Sequence, residues 1–252
     1  MKFFRIFVFV CFVTGILVSP VWAEVFNPTA KFYTAGVQYK DGRYAEAAAS
    51  YEEILANGLR SGELYYNLGN SYFKSGQLGK AILNYERAKR FMPRDGDLKS
   101  NDEFARTQVQ GFIDGQGKSF LEKILANYAD YFTADELALG LLFLGGLMGC
   151  VYLLKLFFHW PSRISFAVMA VLLLLAVVQI TALVIKFSAQ ENLAVIIQSV
   201  DAKFEPTAKG SVHFSLPEGN KVTVLEQRSD WAKIQRLDGK IGWAEKKSLE
   251  KI

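Results

Sequence analysis

Residues 62–95 read GELYYNLGNSYFKSGQLGKAILNYERAKRFMPRD, and a weaker copy lies 34 residues upstream. Ala35, Gly42, Ala47, Tyr51 and Ile54 stand opposite Gly69, Gly76, Ala81, Tyr85 and Ala88. A fixed period of this length marks a stack of supersecondary units, each unable to bury its own apolar face alone. Small residues at Gly69, Ala81 and Ala88 let two antiparallel helices approach closely, and Leu68, Tyr72, Ile82 and Tyr85 fill the seam. Gly76 falls where the first helix must end in a left-handed turn, which glycine adopts without steric cost. Pro93 stops the second helix, because it has no amide hydrogen to donate. The pattern predicts helix pairs over 29–57 and 63–91. A third helix over 98–109, with Leu98, Phe104, Ala105 and Val109 turned inward, is expected to cap the stack.

Tyr65, Leu68, Gly69, Tyr72, Gly76, Ala81, Tyr85, Ala88 and Pro93 together resemble the tetratricopeptide repeat, with units at 28–61 and 62–95. That resemblance implies a surface for holding other proteins rather than a site of chemistry. The groove of such an array is lined by the first helix of each unit, here by Tyr39, Lys40, Tyr66, Asn70, Phe73 and Lys74. Asn70 is placed to bond a peptide backbone and Lys74 to meet a carboxylate; each also reads, taken singly, as an ordinary solvated helix residue.

The net charge of +4 invites a nucleic-acid reading until it is divided by region. Residues 24–134 carry 14 Lys/Arg against 14 Asp/Glu, and residues 187–252 carry 10 against 9. The excess lies in the N-terminal leader and beside the apolar segments, so no basic stripe tracks phosphates and nucleic acid is not an expected partner. Cys11 and Cys150 both sit in apolar segments, without a neighbouring Cys or His at metal-ligand spacing. His159 and His213 are the only histidines. No phosphate loop or paired-histidine motif accompanies them. The expectation is therefore a protein that is not an enzyme, with no cofactor, metal or catalytic residues.

Three apolar segments set the expected topology. Residues 1–23 begin with Lys2 and Arg5, continue through IFVFVCFVTGILV and end with Val21 and Ala23 at cleavage-site positions, the order of a signal peptide. An uncleaved anchor is the other reading. Segments 135–158 and 164–186 are each long enough to cross roughly 30 Å of hydrocarbon as a helix. The loop KLFFHWPSR between them carries Lys155 and Arg163 and no acid, whereas Asp130, Asp135 and Glu136 precede the first span. Positive residues remain inside, so loop 159–163 is expected in the cytoplasm and both flanking modules outside it. Gly145 and Gly149 form a small-x-x-x-small pair suited to close helix contact. Linker and juxtamembrane residues 111–134 include FLEKILANYADYF, whose Phe120, Ile124, Leu125, Tyr128 and Phe132 recur at helical spacing. That stripe lies either at the bilayer interface or against the repeats.

Residues 187–252 change character. AVIIQSV, KVTVLEQ and WAKIQRL are β-branched and partly alternating, separated by turn-forming runs including Asp238-Gly239. Leu216, Gly219, Val224, Trp231, Asp238-Gly239, Gly242-Trp243 and Leu249 resemble the bacterial SH3-like family, which implies a small all-β barrel. Lys203-Phe204-Glu205-Pro206 replaces that family's usual opening segment. Trp231 and Trp243 are expected to close the barrel core rather than form platforms, and His213 to be a solvated surface residue.

The fold class is thus multidomain: an all-α tetratricopeptide-repeat solenoid with a capping helix over 24–110, two transmembrane helices, and a C-terminal all-β SH3-like barrel. As a complete order of parts, the chain resembles the BatE-like members of the Bat-type aerotolerance membrane proteins. That resemblance implies a bacterial inner (cytoplasmic) membrane location with both modules periplasmic. It also implies envelope partners: von Willebrand A-type membrane proteins and a MoxR-type ATPase system. The expected function is a membrane-anchored envelope scaffold; the alternative is an anchor that binds peptidoglycan through its SH3-like tail.

Overall fold

A computed structural model describes residues 26–109, 111, 119–158 and 161–252. The expected leader, most of the joint at 112–118, and His159 and Trp160 of the short loop lie outside the described residues.

The N-terminal region is five helices: α1 (Pro28–Lys40), α2 (Tyr44–Ala56), α3 (Gly62–Lys74), α4 (Leu78–Lys89) and α5 (Gly96–Thr107). Asn27, Ser61 and Asp95 open α1, α3 and α5. Each side chain accepts an orphan first-turn amide, from Ala30 at 3.1 Å, Leu64 at 3.1 Å and Leu98 at 2.7 Å. The turns inside the two hairpins are equivalent: Gly42 and Gly76, one period apart, have φ of 80° and 79°. Ala35, Ala47, Tyr51, Leu68, Ala81, Ile82, Tyr85 and Ala88 form the seam core. At Gly69 a Cβ would lie 2.6 Å from the Tyr85 ring, so α3 and α4 need a residue without a side chain there. On the cap, Leu98, Ala105 and Val109 are buried as expected. Phe104 is not: it is 57% exposed and lies over Phe73, ring centroids 5.6 Å apart. It stands one residue before Ala105, about 100° around the helix from the buried face.

Two helices, α7 (Ala134–Phe158) and α8 (Ser162–Asn192), are long and apolar enough to cross a membrane, with mean hydropathies of 2.3 and 2.9 over their most apolar 18 residues, which in α8 fall within Ser162–Ser188. Only 11% and 17% of their most apolar windows is buried, whereas a soluble core helix of this composition would be covered. By length and composition both are suited to span a membrane. Their close approach differs from expectation. A Cβ on Gly145 or Gly149 would meet nothing within 4 Å, whereas one on Gly140 would lie 2.3 Å from the Gln179 amide. Gln179 Nε2 donates to the Leu137 carbonyl at 3.1 Å, a polar contact that ties the two helices together beside Gly140. The preceding helix α6 (Phe120–Tyr131) packs on α8 through Tyr128, Ala129 and Phe132. The juxtamembrane stripe therefore meets the second span directly, and from the repeats the Arg94 guanidinium lies over Tyr131 and Phe132.

Helix α8 runs into the β-module with no connecting residue. Strands β1 (Leu193–Ile196), β2 (Val200–Lys203), β3 (Val212–Leu216), β4 (Lys221–Arg228), β5 (Trp231–Arg236), β6 (Ile241–Glu245) and β7 (Leu249–Lys251) form one antiparallel sheet in the order β3-β2-β6-β5-β4-β1-β7. Register shifts at Val224/Glu226 and Ala202/Lys203 bend it. Ile196, Ala202, Phe214, Leu216, Val222, Val224, Ala232, Ile234 and Ala244, from six strands, share one core, so the sheet curls around it.

The β-module packs on the repeats. Val195 is fully buried in the repeat core, with Ile197 and Ile252 against the same cluster. Where the backbones meet, glycine faces backbone: a Cβ on Gly79 of α4 would lie 2.6 Å from the Ile196 carbonyl oxygen. Gly79 N–H donates to Glu218 at 3.1 Å, and Arg87 donates to Glu250 at 2.8 Å and to the Lys251 carbonyl at 2.6 Å. Glu86 is the hub. Its carboxylate receives Lys221 at 2.8 Å, Lys89 at 3.1 Å and Arg106, and Asp102 adds bonds to Lys89 at 2.5 Å and Arg106 at 2.8 Å. Burial alone would push the Glu86 carboxyl up, but Lys221, Lys89 and Arg106 outweigh it and hold it well below the usual carboxylate range.

Candidate protein-binding site

The expected site is the face of α1 and α3, the first helices of the two units. Tyr39 and Phe73 are one period apart, as are Lys40 and Lys74, so each hairpin presents an aromatic–lysine pair at the end of its first helix. Lys40 and Lys74 are exposed and enter no salt bridge among the described residues. Tyr39 and Phe73 are half-buried against the core. Tyr39 packs edge-on to Tyr44 at 5.2 Å, and burial, with Tyr44 and Tyr66 beside it, pushes its phenol up. Phe104 extends the aromatic surface beyond Phe73. Sequence reasoning missed this role; its signal was a large aromatic one residue out of phase with Leu98, Ala105 and Val109.

Tyr66 and Asn70 serve first inside the fold. The Tyr85 hydroxyl donates to Asn70 Oδ1 at 2.8 Å, and Asn101 Nδ2 donates to the same oxygen at 3.0 Å and to the Tyr66 hydroxyl at 2.9 Å. This small network joins α3, α4 and the capping helix. Burial pushes the Tyr85 phenol far above its usual range, so it remains a neutral donor. What Asn70 offers a partner is its amide nitrogen, not its oxygen. The six expected residues therefore divide into two charged ends, two aromatic shoulders and two internally bonded polar groups.

The back of the repeats is different. A cavity of about 660 Å³ opens between α2 and α4, lined by Leu68, Tyr72, Lys80, Asn84 and Arg87 and closed on one side by Glu250 and Ile252. Tyr72 donates its hydroxyl to Glu52 there. The cavity lining includes none of the six expected residues.

In the β-module Trp243 is buried beneath Arg228 at 5.2 Å, but it lies outside the central core cluster it was expected to close. Trp231 is half-buried with Lys203 over its ring at 5.4 Å, and it stands outside the central core cluster. His213 is exposed but not merely solvated: it stacks on Phe204 with centroids 4.2 Å apart, and its Nδ1 lies 3.0 Å from the Ile241 carbonyl oxygen. Beyond Phe204 the chain turns back within 203–210, where Lys203 donates to the Ala208 carbonyl at 2.5 Å. Among the described residues no three His, Cys, Asp or Glu side chains are grouped to hold a metal ion.

Residues 62–95 match the tetratricopeptide repeat family and residues 203–250 match the bacterial SH3 domain family. No curated protein shows significant similarity to the chain. The first hairpin and the spans lie outside both matches. The chain therefore carries a protein-interaction repeat at its N-terminal side and a bacterial SH3 domain at its C-terminal side, joined by helices suited to a membrane.

Proposed function

We propose that this chain is a non-enzymatic, membrane-anchored envelope scaffold that holds partner proteins on the α1/α3 face through Tyr39, Lys40, Tyr66, Asn70, Phe73 and Lys74. The observation that carries the reading is where the β-module docks. Its contacts fall on α4 and on Val109, behind the repeats, so the paired aromatic–lysine ends keep an open approach. The packed interface also requires both modules on one side of the membrane. Together with the acid-free loop, this supports placing them outside the cytoplasm. In a Bat-type aerotolerance assembly the partners would be von Willebrand A-type membrane proteins and the MoxR-type ATPase system.

The rival reading, a peptidoglycan anchor, is favoured by the exposed Phe204–His213 stack, a flat aromatic surface on a domain family often found bound to cell walls. One experiment separates them. The full-length protein is crosslinked in cells, solubilised and purified, with and without the pair Lys40→Glu and Lys74→Glu. Scaffolding on this face predicts a reproducible set of membrane proteins that is lost in the charge-reversed protein. Retention of that set by the folded variant overturns the site. Recovery of wall fragments alone, unaffected by the lysines, makes the protein an anchor.

A further inference from the structure

The apolar residues of α6 divide into two halves, and only one is covered. Ala129 is fully buried against α8, and the Tyr128 hydroxyl donates to Gln179 Oε1 at 2.6 Å. Lys186 Nζ donates to the Ala129 carbonyl at 2.9 Å and the Phe132 carbonyl at 2.6 Å, so an ammonium on α8 closes the C-terminal end of α6. Gln179, Ala182 and Lys186 recur at three- and four-residue steps and form one stripe along α8. That stripe lies inside the apolar segment Ser162–Ser188. At 1.5 Å per residue, Gln179 is about 14 Å from its outer end.

The other half of α6 is bare: Phe120 is 81% exposed, Leu121 64% and Ile124 47%. Glu122, Lys123, Asn127 and Asp130 occupy the remaining arc. The neighbouring outward residues of α8, Ile180, Val184 and Phe187, are exposed and apolar as well. The bare half of α6 thus shares its apolar, uncovered character with the outward surface of the span to which the helix is attached. Phe120, Leu121 and Ile124 are exposed with the repeats in place, and Arg94 meets Tyr131 and Phe132 at the opposite end of the helix.

We infer that α6 is a third membrane element, a helix lying in the outer leaflet with Phe120, Leu121 and Ile124 in the lipid and its charged arc at the headgroups. Such a helix combines apolar burial on one side with polar groups at the interface. Its attachment by Lys186 and Gln179 holds the base of the repeats, through Arg94 and Glu136, at a set height above the bilayer. The inference rests on reading α8 as a span, and the test separates the two.

The full-length protein, with Cys11→Ser and Cys150→Ser, is reconstituted in phosphatidylcholine–phosphatidylglycerol vesicles. Nitroxide labels are placed singly through Phe120→Cys, Ile124→Cys, Lys123→Cys, Asn127→Cys and Val184→Cys. All five sites are exposed, so labelling leaves the packing intact. Labels at 120, 124 and 184 should collide severalfold more with dissolved oxygen than with a water-soluble nickel complex, and labels at 123 and 127 the reverse. Lipid contact at 184 with aqueous contact at 120 and 124 overturns the inference alone. Aqueous contact at 184 overturns the span as well. Labels at 120 and 124 shielded from both reagents show that protein, not lipid, covers the helix, and also overturn it.

Discussion

Gly79 offers a substitution whose local and tertiary effects have opposite signs. It is the second residue of α4, and in a helix alanine is preferred over glycine by up to about 1 kcal/mol. Its surroundings reverse that preference. A Cβ would lie 2.6 Å from the Ile196 carbonyl oxygen and 2.8 Å from Ile197 Cα, both backbone atoms that no rotamer change can move aside. Strand β1 must retreat by about 0.8 Å to reach ordinary contact. Overpacking of this kind costs about 1–3 kcal/mol. The retreat also stretches the Gly79–Glu218 bond and the Glu86–Lys221 pair. Gly79→Ala should therefore strengthen α4 while loosening the β-module from it. Hydrogen exchange on the full-length protein in detergent reads both effects at once. Amides at 193–198 and 218–220 should exchange about 5- to 150-fold faster, at tenfold per 1.4 kcal/mol. Protection within α3 and in the β4–β5 pair should hold. Gly69→Ala is the contrast, because its Cβ would strike the Tyr85 ring inside the repeat and should raise exchange in α3 and α4. Unchanged protection at β1 in Gly79→Ala, or an equal change everywhere, would refute the packing argument.

Two further outcomes follow from the same contacts. Glu86→Gln leaves Lys221, Lys89 and Arg106 without their shared carboxylate, and breaking such a buried arrangement costs about 3–5 kcal/mol. Because the folded Glu86 carboxyl is held below its unfolded value, its contribution is complete above about pH 4.3 and is lost as pH falls through the folded value. Acid titration of interface exchange should show this loss in the parent and not in Glu86→Gln; identical curves would argue against the hub. In the spans, Gly140→Val should displace Gln179 from the Leu137 carbonyl and lower the melting temperature in detergent, whereas Gly145→Ala and Gly149→Ala should not. The reverse order would restore the crossing expected from the small-x-x-x-small pair.

Much of the architecture was legible because it is written in local chemistry. Gly76 announces a left-handed turn through its place in the repeat, and Gly42 one period earlier adopts the same one; the caps Asn27, Ser61 and Asp95 emerge from the structure. The uncharged runs mark the spans, and Asp238-Gly239 marks a tight turn where Gly239 has φ of 89°. The site was legible only as a set of helix positions. Lys40 and Lys74 emerge as free charged ends, but nothing in the spacing reveals that Asn70 is held by Tyr85 and Asn101, since those partners come from other helices. Phe104 was misplaced for a related reason: on a short capping helix, one apolar residue out of phase can serve the groove instead of the core.

The sequence by itself determined the modules, their order and the helical period of the repeats, because each depends on residues within a turn or a hairpin of one another. The tertiary structure alone decided that the two modules pack on one another, that α6 packs on α8, and that the tight glycine contact between α7 and α8 falls at Gly140. Those outcomes depend on pairs such as Glu86–Lys221 and Tyr128–Gln179, far apart in the chain. Nothing periodic links such residues, and a buried charge or amide finds its partner only once the backbones that carry both have been brought together.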